Sequence, residues 1–172
     1  MSFFPQSDPV DTKNWESIPA LDREGVFRAW LSSPGNALSV AHGGACAFDS
    51  VDYNYENYYN PVGNKYIAKR AGIYRFSWHA IGPTTMPNDY YFLAVCRVTR
   101  NNVMIREADG QLGQSNTASG GGSPRTSGTC QHKLQPNDEV TVNIYNATGG
   151  TIGILGGDPG YTYFEGELIC RL

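Results

Sequence analysis

The stretch YFLAVCRV, residues 91–98, decides how the fold is interpreted. In a β-strand, alternate side chains point to opposite faces of the sheet. One face then carries Phe92, Ala94, Cys96 and Val98, and the other carries Tyr91, Leu93, Val95 and Arg97. Both faces are mostly apolar, whereas a strand of an antiparallel sandwich usually buries one face and exposes the other. The stretch therefore predicts a strand whose second face is also covered.

Similar short runs follow one another from about residue 25 to the end, separated by turn residues. The chain has 172 residues with 20 Gly, 10 Pro and 11 Tyr, which is typical of one turn-rich all-β domain. The last run, 161–172, repeats the two-sided pattern, with Phe164, Leu168 and Cys170 on one face and Tyr163 and Ile169 on the other. The series predicts a sandwich or a jelly roll.

The charge balance and the amino terminus exclude several classes of partner. A formal net charge of −3 and a pI near 5.5 provide no basic surface for nucleic acid. No apolar segment is long enough to insert in a membrane, and the first residues lack the pattern of a secretory signal. Residues 1–24 are rich in Pro, Asp and Ser and have no regular period, so we expect an anchoring arm there, with Phe3, Phe4 and Trp15 as its docking side chains.

The stretch FDSVDYNYENYYNPVGNKYIAKRAGIYRFSWHA, residues 48–80, resembles the early strands of the globular head of the first complement component, a C1q/TNF-like family. The matching positions are Phe48 and Asp49, Asn54, Tyr59 and Asn60, Lys65 and Tyr66, and Ala71, Gly72, Tyr74, Phe76 and Ser77. Residues 134–142 and 161–169 are similar to later strands of that family, in the same order. Asn137 stands where the family has a turn Gly, and Asn also tolerates the left-handed backbone.

The resemblance implies a ten-stranded jelly-roll β-sandwich spanning 25–172 that assembles as a homotrimer. The expected core side chains are Phe48, Tyr59, Tyr66, Tyr74, Phe76, Phe92, Phe164 and Leu168. In that family one sheet packs around a threefold axis, and the resemblance implies that this sheet contains both two-sided strands. The expected subunit interface is Tyr91, Leu93, Val95, Arg97, Tyr163, Glu165, Glu167 and Ile169. The alternative is that the arm or the long polar loop 110–128 covers the second face.

Arg97 is the charge of greatest interest in that interface. Our hypothesis pairs Arg97 with Glu165 or Glu167 near the axis, because unpaired charges there would be costly. The alternative is a solvated rim, where such a pair contributes about 0–1 kcal/mol.

No pattern in the sequence predicts catalysis, a metal or a cofactor. His42, His79 and His132 are scattered, and His79 is expected to be a structural histidine. The four cysteines, Cys46, Cys96, Cys130 and Cys170, form no C-x-x-C pair. Buried free thiols are the favoured interpretation, and a disulfide between neighbouring strands stays open because it depends on Cα distances.

The sequence favours a non-enzymatic attachment module over an enzyme. The first hypothesis is a virion-associated decoration, head-fibre or adhesin subunit, made in the cytoplasm and anchored to a larger assembly by its arm. The alternative is an extracellular pattern-recognition or lectin-like protein that binds glycans or other surface ligands, for which Asn146 would be a glycosylation site. In either case Arg125 and Asp158, at loop tips, are the candidate ligand contacts.

Overall fold

The computed structural model describes residues 24–83, 91–109, 113–114, 123–147 and 149–172. These residues form strands β1 Phe27–Trp30, β2 Gly35–Ala41, β3 Gly44–Ala45, β4 Ser50–Asn54, β5 Tyr59–Asn60, β6 Lys65–Ile67, β7 Gly72–Ile81, β8 Tyr91–Arg100, β9 Val103–Asp109, β10 Gly113–Gln114, β11 Arg125–Leu134, β12 Glu139–Asn146, β13 Thr151–Gly156 and β14 Tyr163–Arg171. One 3-10 turn covers Tyr55–Asn57. Within these ranges no helix is long and apolar enough to span a bilayer.

The strands form two antiparallel layers. The five-stranded sheet has the order β11-β7-β14-β1-β4. The seven-stranded sheet has the order β10-β8-β12-β6-β5, with β3 beside β12 and β9 beside β8. Strands β2 and β13 form a separate antiparallel pair. This is the all-β jelly-roll sandwich that the sequence predicts, with several of its strands divided into short segments.

The core between the sheets is dominated by aromatic rings. Phe27 packs against Tyr59, Tyr66 and Phe164 with ring centroids 4.9–5.2 Å apart. The predicted core positions that are fully buried are Phe48, Tyr59, Tyr66, Tyr74, Phe76, Phe92 and Phe164. Leu168 packs against this cluster but is only partly buried. Alternation therefore located the inner face of each of these strands correctly.

The two strands assigned to one interface lie in different sheets. Strand β8 belongs to the seven-stranded sheet and β14 to the five-stranded sheet, so their outward faces lie on opposite sides of the sandwich. The premise that one sheet contains both strands is therefore wrong, and the interface residues themselves stay a prediction. Val95, on the outward face of β8, is only 1% exposed in the single chain, and its cross-strand partner Asn143 is buried too. The second face of β8 is thus covered by its own chain at its centre, whereas Tyr91 at its start is 39% exposed.

The end of β14 departs from simple alternation. The pairing of β14 with β7 shifts between Leu168 and Cys170, so that Cys170 lies opposite the outward residue Ile73. Cys170 is therefore exposed rather than sharing the inner face of Leu168, which corrects the prediction from parity. A β-bulge of this kind reverses the face of every later side chain.

The chain enters the domain through a buried acidic residue. Glu24 is 3% exposed, and its carbonyl accepts a hydrogen bond from the Leu168 amide at 3.2 Å. Its carboxylate binds Arg70 at 2.5 Å and Arg171 at 2.7 Å, and the Tyr58 hydroxyl donates to it at 3.0 Å. Glu24 is thus part of the domain and not the last residue of the arm. Phe3, Phe4 and Trp15 lie outside the described residues, so the docking role of the arm stays a prediction.

A second buried carboxylate stabilises the turn before β12. Asp138 is fully buried, and both of its oxygens accept hydrogen bonds from Arg100 at 2.6 and 2.7 Å. It also accepts the backbone amide of Gln135 at 2.8 Å. Asn137, which precedes it, adopts a φ of 70°, the left-handed conformation for which the family uses Gly.

Candidate functional site: the open face of the five-stranded sheet

The outward face of the five-stranded sheet, called the open face here, is a plate of polar side chains. One row crosses all five strands and carries Tyr53, Arg28, Glu165, Ser77 and Thr129 in register. A second row carries Glu167, Arg75 and Gln131. Every outward residue of β7 and β14 along these rows is at least partly exposed in the single chain. This surface is therefore available to another molecule.

Opposite charges alternate across the open face. Arg28 lies 3.5 Å from Asp52 and 3.8 Å from Glu165, and its guanidinium stacks 4.8 Å above the ring centre of Tyr163. Arg75 pairs with Glu167. The pairs are exposed enough that each contributes little to the stability of one chain. The same charges would gain strength where a second surface excluded water from them.

The two glutamates of β14 are committed to different partners. Glu165 accepts a hydrogen bond from the Ser77 hydroxyl at 2.7 Å, whereas Glu167 is bound by Arg75. A hydrolytic pair of carboxylates needs one acid that keeps its proton and a second that stays ionised beside the substrate. The arrangement here is instead a hydroxyl contact and an ion pair, one to each glutamate.

A pocket of about 410 Å³ lies in the middle of the open face. It is lined by Val26, Phe27, Tyr53, Arg75, Ser77, Thr129, Glu165, Gly166 and Glu167. The floor is Gly166, the inward position of β14, where an added Cβ would lie 2.5 Å from the ring of Phe76. Phe76 fills the space that a side chain would need at this position, so the close packing of its ring on β14 requires glycine there.

The loop candidates lie together at one end of the sandwich. Arg125 begins β11 opposite Ile81, the last residue of β7. Asp158 lies in the β13–β14 loop, where its carboxylate accepts the Gly160 amide at 2.7 Å. This loop returns to β7 because His79 hydrogen-bonds the Tyr161 carbonyl. His79 is thus a structural histidine, and burial lowers its pKa, with the charge of Arg125 acting in the same direction.

The outward face of the seven-stranded sheet carries a different arrangement. Arg97 donates two hydrogen bonds to Glu107 on the neighbouring strand β9, at 2.9 and 3.1 Å, and also contacts the Tyr145 hydroxyl. Within the single chain its partner is therefore Glu107, and a pairing with Glu165 or Glu167 across the axis stays a prediction. Asn101 and Asn102 adopt positive φ and close a two-residue hairpin between β8 and β9. The sequence alone does not give the pair, because a register shift between Val98 and Thr99 brings Glu107 rather than Arg106 opposite Arg97.

Arg28 and Arg75 were missed by the sequence analysis. Each faces an acid of β14 across a strand pair, Arg28 opposite Glu165 and Arg75 opposite Glu167. Charged residues at alternating positions of β7 and β14 are visible in the sequence, but the pairing of β14 between β1 and β7 is a property of the topology.

Asn146 is unsuitable for glycosylation in the folded chain. It is fully buried, and its side-chain amide donates to the Gly150 carbonyl at 3.1 Å. A glycan on that nitrogen would require the end of β12 to open. The sequon is therefore a chance occurrence in this fold.

The order of the strands and the position of the aromatic core agree with a comparison of the sequence with known families. The C1q domain pattern matches residues 27–169. The chain belongs to the C1q domain family. A relative in Mus musculus, complement C1q tumor necrosis factor-related protein 7, is 33% identical over 125 residues, which are 71% of this chain and 37% of the relative. The chain thus spans little more than a third of that protein's length.

Solved structures show the same fold. The globular domain of zebrafish complement 1qA superposes with a TM-score of 0.64 at 15% identity, covering 86% of this chain and 98% of that domain. Murine APRIL superposes with a TM-score of 0.57 at 12% identity, covering 86% and 98%. Eiger TNF from S. frugiperda gives 0.56 at 11%, covering 86% and 91%. Assembly of this C1q domain as a homotrimer is consistent with the family.

Proposed function

We propose that this C1q domain is a non-enzymatic binding head that works as a homotrimer, with the open face turned towards the neighbouring subunits. The observation that carries the proposal is the difference between the two outward faces. The centre of the seven-stranded sheet is covered by its own chain at Val95 and Asn143, whereas on the open face Arg75 is exposed and Glu165 and Glu167 are partly exposed. The alternating charges of this face offer both signs for ion pairs with a neighbouring subunit, and complementary charge fixes how two surfaces align.

The comparisons favour ligand recognition over a role on a virus particle. The matched proteins are named for complement and for tumour necrosis factor, which supports the extracellular alternative from the sequence. The particle-anchored hypothesis depends on the arm, residues 1–23 of which lie outside the described residues. Glycans and other surface ligands remain the proposed class of partner.

The mass in solution tests the assembly. Sedimentation equilibrium of the full chain at micromolar concentration and neutral pH is expected to give three times the 18.8 kDa chain mass. Raising the salt concentration should weaken the trimer, because ion pairs at the rim of an interface are screened. A homogeneous species of single-chain mass at this concentration would overturn the proposal.

The loop end tests the binding. Arg125 and Asp158 lie at the same end of the sandwich, at the rim of the open face, and we propose that they contact the ligand. On a glycan array, Arg125→Ala is expected to lower binding of the trimer at least about 10-fold, since a charged contact is worth more than 1 kcal/mol. Gln135, exposed at the opposite end, gives the control Gln135→Ala, which should leave binding unchanged. Equal binding by both variants would exclude this end as the ligand site.

A further inference from the structure

Two cysteines and a histidine come together between the sheets, away from the open face. The Sγ atoms of Cys96 and Cys130 and a ring nitrogen of His132 all lie within 4.8 Å of one another. Cys96 comes from β8 of the seven-stranded sheet, whereas Cys130 and His132 come from β11 of the five-stranded sheet. Each sheet therefore contributes at least one side chain to the cluster.

The strands that carry the cluster are held together by neighbouring contacts. Strand β8 pairs with β10 up to Phe92 and with β9 from Val95 onwards. Between these two pairings, the backbone of Ala94 forms hydrogen bonds with side chains of the other sheet. The amide of Ala94 donates to the Thr126 hydroxyl at 3.2 Å, and its carbonyl accepts from the Trp78 indole at 3.0 Å. Cys96 lies two residues after Ala94 and therefore on the same face of β8, the face that is directed towards β11.

The buried ring nitrogen of His132 indicates that this cluster binds a ligand. It is 7% exposed, and its buried Nε2 has no hydrogen-bond partner among the residues that the structure describes. Leaving a buried polar atom unpaired costs about 1–3 kcal/mol in general, so such an atom needs an explanation. Cys130 and His132 are two residues apart and therefore share one face of β11.

The chemistry of the three groups matches that of a borderline-soft metal ion. Thiolate and imidazole ligands select Zn²⁺ over Ca²⁺ and Mg²⁺, which take oxygen. With Zn–S bonds of about 2.3 Å and Zn–N bonds of about 2.0 Å, tetrahedral ligand atoms lie about 3.5–3.8 Å apart. The three ligand atoms now lie within 4.8 Å of one another, so side-chain rotations that shorten the longest of these distances by about 1 Å would give the tetrahedral geometry.

The cluster comes nearest to solvent at Cys130, which is only partly buried, whereas Cys96 is buried. Thiols bind a metal ion as thiolates, so binding here would release the protons of both cysteines.

We propose that Cys96, Cys130 and His132 form a zinc site that links the two sheets of the sandwich. Three protein ligands leave one coordination position for water or an external ligand. The site lies within one chain and does not depend on the trimer.

Cobalt and zinc binding to the full chain tests the site. The chain is reduced, freed of metal with a chelator and titrated with Co²⁺, a spectroscopic substitute for Zn²⁺. We expect about one ion per chain, a thiolate-to-cobalt charge-transfer band, tetrahedral d–d absorption and displacement by Zn²⁺. Cys130→Ser and His132→Ala should weaken binding at least about 100-fold, because even loss of an outer-shell partner costs 10–100-fold.

The other two cysteines provide matched controls. Cys46→Ala removes a buried thiol and Cys170→Ser an exposed one, and both variants should bind Co²⁺ within about threefold of the parent chain because neither supplies a ligand. Thermal unfolding of Cys130→Ser without metal checks that this half-buried substitution leaves the fold intact. Binding that persists in Cys130→Ser, or a reduced parent chain that takes up no Co²⁺, would overturn the proposal. A disulfide between Cys96 and Cys130 that forms in air, with no metal uptake after reduction, would do the same.

Discussion

Glu24→Gln is expected to lower the free energy of unfolding by about 2–3 kcal/mol. Removing one partner of a buried ion pair generally costs 3–5 kcal/mol, because the other charge stays buried without compensation. Here the side chains of Arg70 and Arg171 are about half exposed and can turn to water, so we place the loss below that range. The substitution removes the negative charge to which both arginines and the Tyr58 hydroxyl are bound. Urea unfolding at pH 7 measures the change.

The pH dependence gives this prediction a second readout. Burial raises the pKa of Glu24, but hydrogen bonds from Arg171 and Tyr58 and the charges of Arg171 and Arg70 outweigh it, so the pKa falls below its ordinary value of 4.5. A carboxylate whose pKa is lowered by folding stabilises the fold above its unfolded pKa and loses that effect as the pH falls through the folded one. The parent chain should therefore lose stability below about pH 4.5, and Glu24→Gln should lose less over the same interval.

A surface pair provides the control for Glu24. Lys65 and Glu139 are 2.5 Å apart, and both side chains are 29% exposed. Glu139→Gln makes the same substitution of a carboxylate by an amide, and it should alter the free energy of unfolding by no more than about 1 kcal/mol. Asp138, whose pKa is also lowered despite its burial, is present in both variants and contributes an equal acid dependence. Equal losses for Glu24→Gln and Glu139→Gln would show that the buried cluster has no special role.

The inner face of the sandwich could be predicted from sequence, whereas the division of strands between sheets could not. Alternation in β7 and β8 identifies Tyr74, Phe76 and Phe92 as inward-facing, because the side-chain period of a strand is fixed at two. The same alternation shows that the second face of β8 is apolar but not what covers it. Whether that cover is another subunit or the same chain depends on the order of strands, to which residues distant in sequence contribute.

Spacing along the sequence also failed to predict the buried ion pairs and the cysteine cluster. Glu24, Arg70 and Arg171 come from three distant parts of the chain, and no spacing connects them. Cys96 and Cys130 lie on different sheets, so metal-ligand spacing along the sequence does not reveal them. A bulge in β14 then moved Cys170 to the opposite face from that predicted. In each case the position of the side chain depends on how two strands or segments pack together, and not on the pattern within one strand.

Arg75→Glu is expected to dissociate the proposed trimer, raising its dissociation constant at least about 100-fold. The substitution replaces the partner of Glu167 with a third acid beside Glu165 and Glu167 on the open face. Three copies around an axis would bring at least nine carboxylates together, and like charges across an interface cost several kcal/mol. The fold itself should change little, because the Arg75 side chain is 54% exposed. Sedimentation equilibrium over a range of concentrations measures the constant.

Two further variants separate a specific effect from one of net charge. Arg106→Glu makes the same change in charge at an exposed position of β9, on the seven-stranded sheet, and should leave the trimer intact. The exchange Arg75→Glu with Glu167→Arg restores an opposite pair on the open face and should recover most of the association, since the balance of charge is unchanged. If Arg106→Glu dissociates the trimer and Arg75→Glu does not, the copies meet through the seven-stranded sheet.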